Sequence, residues 1–209
     1  MSDLSLALRL LVREWRSGEL RILLAVIALA VASLTAVSFF TDRVRLSLSQ
    51  EANALLAADL VLSADHPLEP AIAAEARRRG LSVAQTTTFL SMARNGEQAR
   101  LAGIKAASPA YPLRGRLRIA DAPFAPDRPA AGVPGPGQAW VDARLAGELG
   151  LRTGSRVRLG DSVLTVTAIL SHEGERGGNF MALAPRLLMN QADLAATGLV
   201  QEGSRITWR

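Results

Sequence analysis

From Ile22 to Thr41 the chain runs for twenty residues without a charge, bracketed by Arg21 and Asp42. Eleven of the twenty are Leu, Ile, Val or Phe. At about 1.5 Å per residue a helix of this length covers roughly 30 Å, the hydrocarbon thickness of a bilayer. The eleven large apolar residues favour insertion by roughly 3–7 kcal/mol, and one central arginine would remove much of that margin. The pattern predicts a transmembrane helix over residues 21–41. Ala30-Val31-Ala32 has the small residues of a leader cleavage site. The apolar stretch exceeds the roughly 7–15 residues of a leader core, however. Asp3, Glu14 and Glu19 also stand where a leader would be basic, so the segment reads as an uncut anchor.

The pattern on either side sets the orientation. Leu4, Leu8, Leu11, Val12 and Trp15 recur at helical spacing, while Arg9, Arg13 and Arg16 fall mostly on other faces. Residues 1–20 therefore read as an amphipathic arm with membrane lipid as its partner. Trp15, Arg9, Arg13 and Arg16 are its interfacial residues. Arg9, Arg13, Arg16 and Arg21 precede the span, against Arg43 and Arg45 just after it. The excess of arginine places the arm in the cytoplasm and residues 42–209 in the periplasm or outside the cell. Ala28, Ala32 and Ala36 share one face of the span and form a candidate packing face for another helix.

Beyond Asp42 the helical pattern continues to about Ala58 as a stalk. Residues 59–63 read as a strand, and Pro67 and Pro70 open a helix that runs to Arg79 with Gly80 after it. Strands follow over 81–93 and 97–105, joined at Asn95-Gly96. Seven prolines make residues 106–137 poor in regular structure. Residues 139–141 read as a short strand, with Asp142 capping a helix to Leu149 and Gly150 ending it. Strands over 155–159 and 162–170 meet at Gly160-Asp161. A glycine-rich loop from Gly174 to Gly178 comes next, then a strand over 180–184, a short helix over 185–190 and a last strand over 205–208. The fold class is α+β: one N-terminal transmembrane helix, then a mixed α+β domain with small antiparallel sheets.

Charge and composition remove several kinds of chemistry. The net charge is +5, but the arginines are dispersed, with no run denser than Arg77-Arg78-Arg79, so no nucleic-acid partner is expected. The chain has no cysteine, which excludes disulfides, thiolate metal sites and cysteine nucleophiles. A nucleotide-binding P-loop needs Gly-Lys-Ser/Thr, and the only lysine, Lys105, sits between Ile104 and Ala106. His66 and His172 lack the partners of a zinc site, and no serine lies in a Gly-x-Ser-x-Gly turn. No cofactor, metal or catalytic residue is expected. The acidic residues from Glu173 onward read as a solvated loop.

Several blocks together resemble a known family. They are Arg13-Glu14-Trp15-Arg16-Ser17-Gly18-Glu19-Leu20, Phe40-Thr41-Asp42-Arg43-Val44, Ala57-Ala58-Asp59-Leu60-Val61-Leu62 and Tyr111-Pro112-Leu113-Arg114-Gly115. Trp140-Val141-Asp142-Ala143-Arg144-Leu145-Ala146 follows, running on to Leu149-Gly150-Leu151-Arg152-Thr153-Gly154. The order is similar to the N-terminal part of FtsX-like ABC-transporter permeases with a MacB-type periplasmic core domain. The resemblance implies a non-enzymatic subunit of a bacterial inner membrane, served by a separate cytoplasmic ABC ATPase. It implies cargo such as lipid, lipoprotein or peptide, and partners that are a second copy or further permease helices. Family members carry four or more spans, whereas this chain has one. The expectation is therefore an N-terminal fragment whose core domain, 42–209, is incomplete at its C-terminus. The residues alone also admit a single-pass anchored binding or sensor protein.

Overall fold

The computed structural model describes residues 18–176, 183–201 and 203–209. The chain divides into two units, one ending at Gln50 and one running from Glu51 to Arg209. Helix α1 spans Glu19–Leu56, 38 residues. Its stretch Arg21–Ser47 is the one helix among the described residues that is long and apolar enough to cross a membrane. Every residue from Arg21 to Ser47 is exposed in the isolated chain, so its leucines, valines and phenylalanines have no protein to pack on. The polar residues within it are partly masked: the Thr35 and Thr41 hydroxyls donate to the carbonyls of Val31 and Val37, at 2.7 and 2.9 Å. That internal bonding lowers the cost of placing a hydroxyl in lipid.

The second unit is built on one nine-stranded mixed sheet. Strands β1 (Thr86–Asn95) and β2 (Gln98–Ala107) form a long antiparallel hairpin. β3 (Arg118–Ala120) and β4 (Arg128–Pro129) are short, and β5 covers Gln138–Asp142. β6 (Arg156–Leu159) and β7 (Ser162–His172) make a second hairpin, β8 covers Arg186–Asn190, and β9 is Thr207–Trp208. The helices are α2 (Pro70–Arg78) and α3 (Ala143–Leu149). β2 pairs β8 in parallel, β8 pairs β5 antiparallel, and β5 pairs β7 in parallel. β7 then pairs β6, and β6 returns to β1 through Ala93↔Leu159 and Arg94↔Arg158. The pairings thus close into a ring, β1-β2-β8-β5-β7-β6.

Closure explains the core. Ala102, Ile104 and Ala106 of β2, Val157 and Leu159 of β6, Leu164 and Val166 of β7 and Leu187 and Met189 of β8 point inside. Leu145, Ala146 and Leu149 of α3 join them. Asp142 caps α3 by accepting from the Leu145 amide at 2.8 Å, as its position predicts. At the other end Gly150 takes φ +62°, and the Leu151 amide reaches back to the Ala146 carbonyl at 2.8 Å. That pattern turns Leu151 into the core. Gly80 ends α2 in the same way.

The α+β class and the long apolar N-terminal helix hold, and four details differ. The strands do not form small separate antiparallel sheets, because the parallel pairs β2–β8 and β5–β7 join them into one. Residues 185–190 are a strand rather than a helix. Leu187 and Met189 enter the ring while Leu188 packs outside it, so β8 is apolar on both faces and has no alternation to read. Residues 59–63 form no strand, and only Ala64 bridges, to Trp208. The hairpin turn is Gly96-Glu97, one residue later than expected, with positive φ at Gly96 alone of the two. The expected strand over 180–184 lies partly outside the described residues.

Candidate functional site

Because Ile104 and Ala106 point into the ring, Lys105 must point out of it. There it is covered, and only 2% of it is accessible. Its ammonium donates to the Tyr111 hydroxyl and to Glu173 Oε1, both at 2.8 Å, and it also contacts Glu175. Three donors meet three acceptors, and Nζ lies 4.2 Å from the centre of the Tyr111 ring. Arg186, first residue of β8, brings Nε to 3.0 Å from Glu173 Oε2. Arg209, just past β9, pairs with Glu175. Three cations and two carboxylates thus share a buried network.

Each side chain is placed by its element. Glu173 directly follows β7, and Glu175 lies in a turn of 3₁₀-helix over Gly174–Arg176. Arg186 is fixed through its backbone amide, which donates to Asp142 Oδ2 at 3.0 Å. One carboxylate therefore starts both α3 and β8. Arg209 is held by two backbone bonds with Thr86, at 2.8 and 2.9 Å. Burial alone would push Glu173 above the usual carboxylate range. The charges of Lys105 and Arg186 outweigh burial and hold it below. Tyr111 is pushed far above its ordinary value, by burial first and then by the two glutamates. Glu173 Oε2 and Arg186 Nε are close but misaligned for a hydrogen bond, and Arg186 Nη1 has no hydrogen-bond partner among the described residues.

The same loop that carries Tyr111 also holds the end of α1. Ala57, directly after the helix, takes a left-handed φ of +57° and is buried against Tyr111, Leu117, Trp140 and Leu188. Its carbonyl accepts from the Arg114 amide at 2.9 Å. The Arg114 guanidinium grips Asp59 with Nε at 2.9 and 3.0 Å and Nη2 at 2.6 Å. Those hydrogen bonds hold the Asp59 carboxyl below its usual range. Ala64 and Trp208 then exchange two backbone bonds at 2.9 Å. β9 therefore runs beside the segment that follows α1.

This arrangement ties four segments of the chain together. Among the described residues no three His, Asp or Glu side chains cluster as metal ligands. His66 lies exposed on Asp65, and His172 is exposed at the end of β7. Ala28, Ala32 and Ala36 lie on the exposed apolar length of α1. Trp15, Arg9, Arg13 and Arg16 lie outside the described residues. Sequence reasoning did not find the Lys105 network. The signal was present: a lone lysine inside an apolar strand pattern has to be paired. The glutamates at 173 and 175 do not face solvent as a loop reading implies; they bind a cation, and it is the chain's own lysine.

Once its geometry is known, the domain can be compared with known proteins. Residues 22–207 match the MacB-like periplasmic core domain, and the chain belongs to that family. It is 36% identical over 197 residues to the uncharacterized ABC transporter permease YbbP of Escherichia coli (strain K12). The match covers 94% of this chain and 24% of that protein, so the chain spans about a quarter of its relative. Among solved structures it resembles the extracellular domain of the noncanonic ABC-type transporter YknZ from Gram-positive bacteria, at 12% identity and a TM-score of 0.45. That likeness covers 68% of this chain and 71% of the other. A domain of a putative permease protein from Porphyromonas gingivalis aligns at 13% identity and a TM-score of 0.40, over 62% of this chain and 60% of that one. Permeases of this kind are the non-catalytic subunits of ABC transporters, and the matched residues include the helix that is long and apolar enough to cross a membrane.

Proposed function

We propose that this chain forms the first membrane helix and first periplasmic domain of an ABC permease that moves cargo out of the membrane or periplasm. A separate cytoplasmic ATPase supplies the motion. In this reading residues 1–20 lie on the cytoplasmic face of the bacterial inner membrane, residues 21–41 cross it and residues 42–209 work in the periplasm. The Ala28, Ala32 and Ala36 face packs on another permease helix or a second copy. The cargo class is a lipid, lipoprotein or peptide.

The observation that carries the proposal is the joint after α1. Here the helix ends in a buried residue, a backbone bond and a bidentate ion pair, all on the loop that also carries Tyr111. Displacement of Ala57 would reach Arg114, then Tyr111 and the Lys105 network, and so β9 through Arg209. Co-purification of the full-length gene product with an ATP-binding subunit tests the proposal. Purification without any ATPase, or a reporter fused after Arg209 that is active only in the cytosol, would overturn it.

A further inference from the structure

The outer face of the ring is covered at one end and bare at the other. Near the base of the β1–β2 hairpin, Tyr111, Trp140 and Leu188 pack over it. Toward the turn nothing covers it among the described residues. Leu90 is 36% exposed, Met92 46%, Leu101 50% and Val163 47%. The registers make them neighbours: Met92 faces Leu101 across the hairpin, and Val163 faces Arg158 across the second one.

Arg94 and Arg158 sit directly opposite each other in this patch, on adjacent strands. Their inward neighbours Ala93, Val157 and Leu159 are fully buried, so both arginines point out on the same side as Met92. Arg156, two residues from Arg158, points out with them. Like charges facing each other across a strand pair destabilise a sheet. Four arginines elsewhere in the domain pair with a carboxylate, Arg114 with Asp59, Arg118 with Asp127, Arg128 with Asp121 and Arg144 with Glu148, whereas Arg77, Arg116, Arg152 and Arg205 lie exposed without a cross-strand arginine beside them. Arg94, Arg156 and Arg158 have no such carboxylate among the described residues. Exposed methionine and leucine beside arginine, with no acid, is the composition of a protein interface rather than of a solvated face.

We infer that this corner is a docking surface for a second protein whose contacting face is apolar and acidic. The patch lies on β1 at Leu90 to Arg94, toward the opposite end of the strand from its bonds to β9 at Thr86–Thr88. The inference rests on the domain working outside the cytoplasm, as proposed above.

The test places a photo-crosslinking amino acid at Met92 in the full-length protein in cells, with Leu81, exposed elsewhere, as control. The expected result is a light-dependent adduct with one other protein, from Met92 and not from Leu81. It falls at least tenfold in the Arg94→Glu, Arg158→Glu double variant. It returns when acidic residues on the partner's crosslinked face are changed to lysine. Arg94→Gln, which removes the like-charge pair, keeps or raises the melting temperature and so controls for folding. An adduct with lipid, with a second copy or with the protein's own chain would overturn the inference. So would an adduct indifferent to the charge reversal, or none. ATPase co-purification is read on the same cells: if the ATPase is bound and Met92 stays uncrosslinked, the docking surface fails and the permease reading stands.

Discussion

The two sides of β2 solve opposite problems with adjacent residues. Inward, Ile104 joins a cluster of apolar side chains that, among the described residues, includes Phe89, Leu145, Leu187 and Met189. Outward, Lys105 holds together two carboxylates and a phenol under a cover of loop. The interior is non-directional: many apolar side chains of similar volume would fill it at small cost. The outer network is directional, and Lys105 and the Tyr111 hydroxyl keep their partners only while the two glutamates stay in place. The interior therefore makes the domain stable, and the network fixes how loop 108–117, the loop after β7 and β9 meet.

That contrast can be broken from its strongest point downward. Lys105→Ala leaves Glu173 and Glu175 buried without their shared cation. Chemical denaturation should show a loss of about 3–5 kcal/mol. Adding Glu173→Gln should recover part of it, since the second change removes a stranded charge. In the ring, Leu187→Ala should cost about 2–5 kcal/mol, whereas Ile104→Val costs only about 0.5–1.5 kcal/mol. At the rim, a Cβ on Gly160 would stand 2.0 Å from the Thr197 carbonyl oxygen, at a φ of +56°. Gly160→Ala should then lower stability by about 1–3 kcal/mol.

Acidity separates the two sides without any mutation. Glu173 is held below its ordinary value of 4.5, so the network's contribution is complete above that pH. It is lost as the pH falls toward the lowered folded value, because the unfolded chain takes up the proton first. Tyr111 is raised above 10, so its contribution is complete below pH 10 and is lost as the pH rises further. Glu173→Gln should flatten the acid limb of the stability profile measured by denaturant titration. Ile104→Val should lower the whole profile without changing its shape.

Much of the ring's edge was legible in the sequence. Asp142 before an apolar helix, Gly150 and Gly80 after helices, and Gly160-Asp161 between alternating runs each mark a local choice of backbone, and local choices leave local signals. Closure of the ring left none, because β2 meets β8 about eighty residues on, and a parallel partner is set by the whole fold. β8 itself was misread because burial on both faces erases the period that tells a strand from a helix. The network was hidden for a related reason. Lys105 and Glu173 are 68 residues apart, and a glycine-rich acidic loop looks the same in sequence whether it turns out to water or in upon a lysine.

The proposed function requires that motion of the N-terminal helix be felt at Ala57 and at the Asp59–Arg114 pair beside it. Full-length protein with its ATPase in nanodiscs, spin-labelled at Ala28 and at Thr153, allows the distance between helix and domain to be read with and without ATP. The account predicts a nucleotide-dependent change in that distance, lost in Arg114→Ala although the variant folds and still binds the ATPase. The same distance in both states, or a change that survives Arg114→Ala intact, would contradict it.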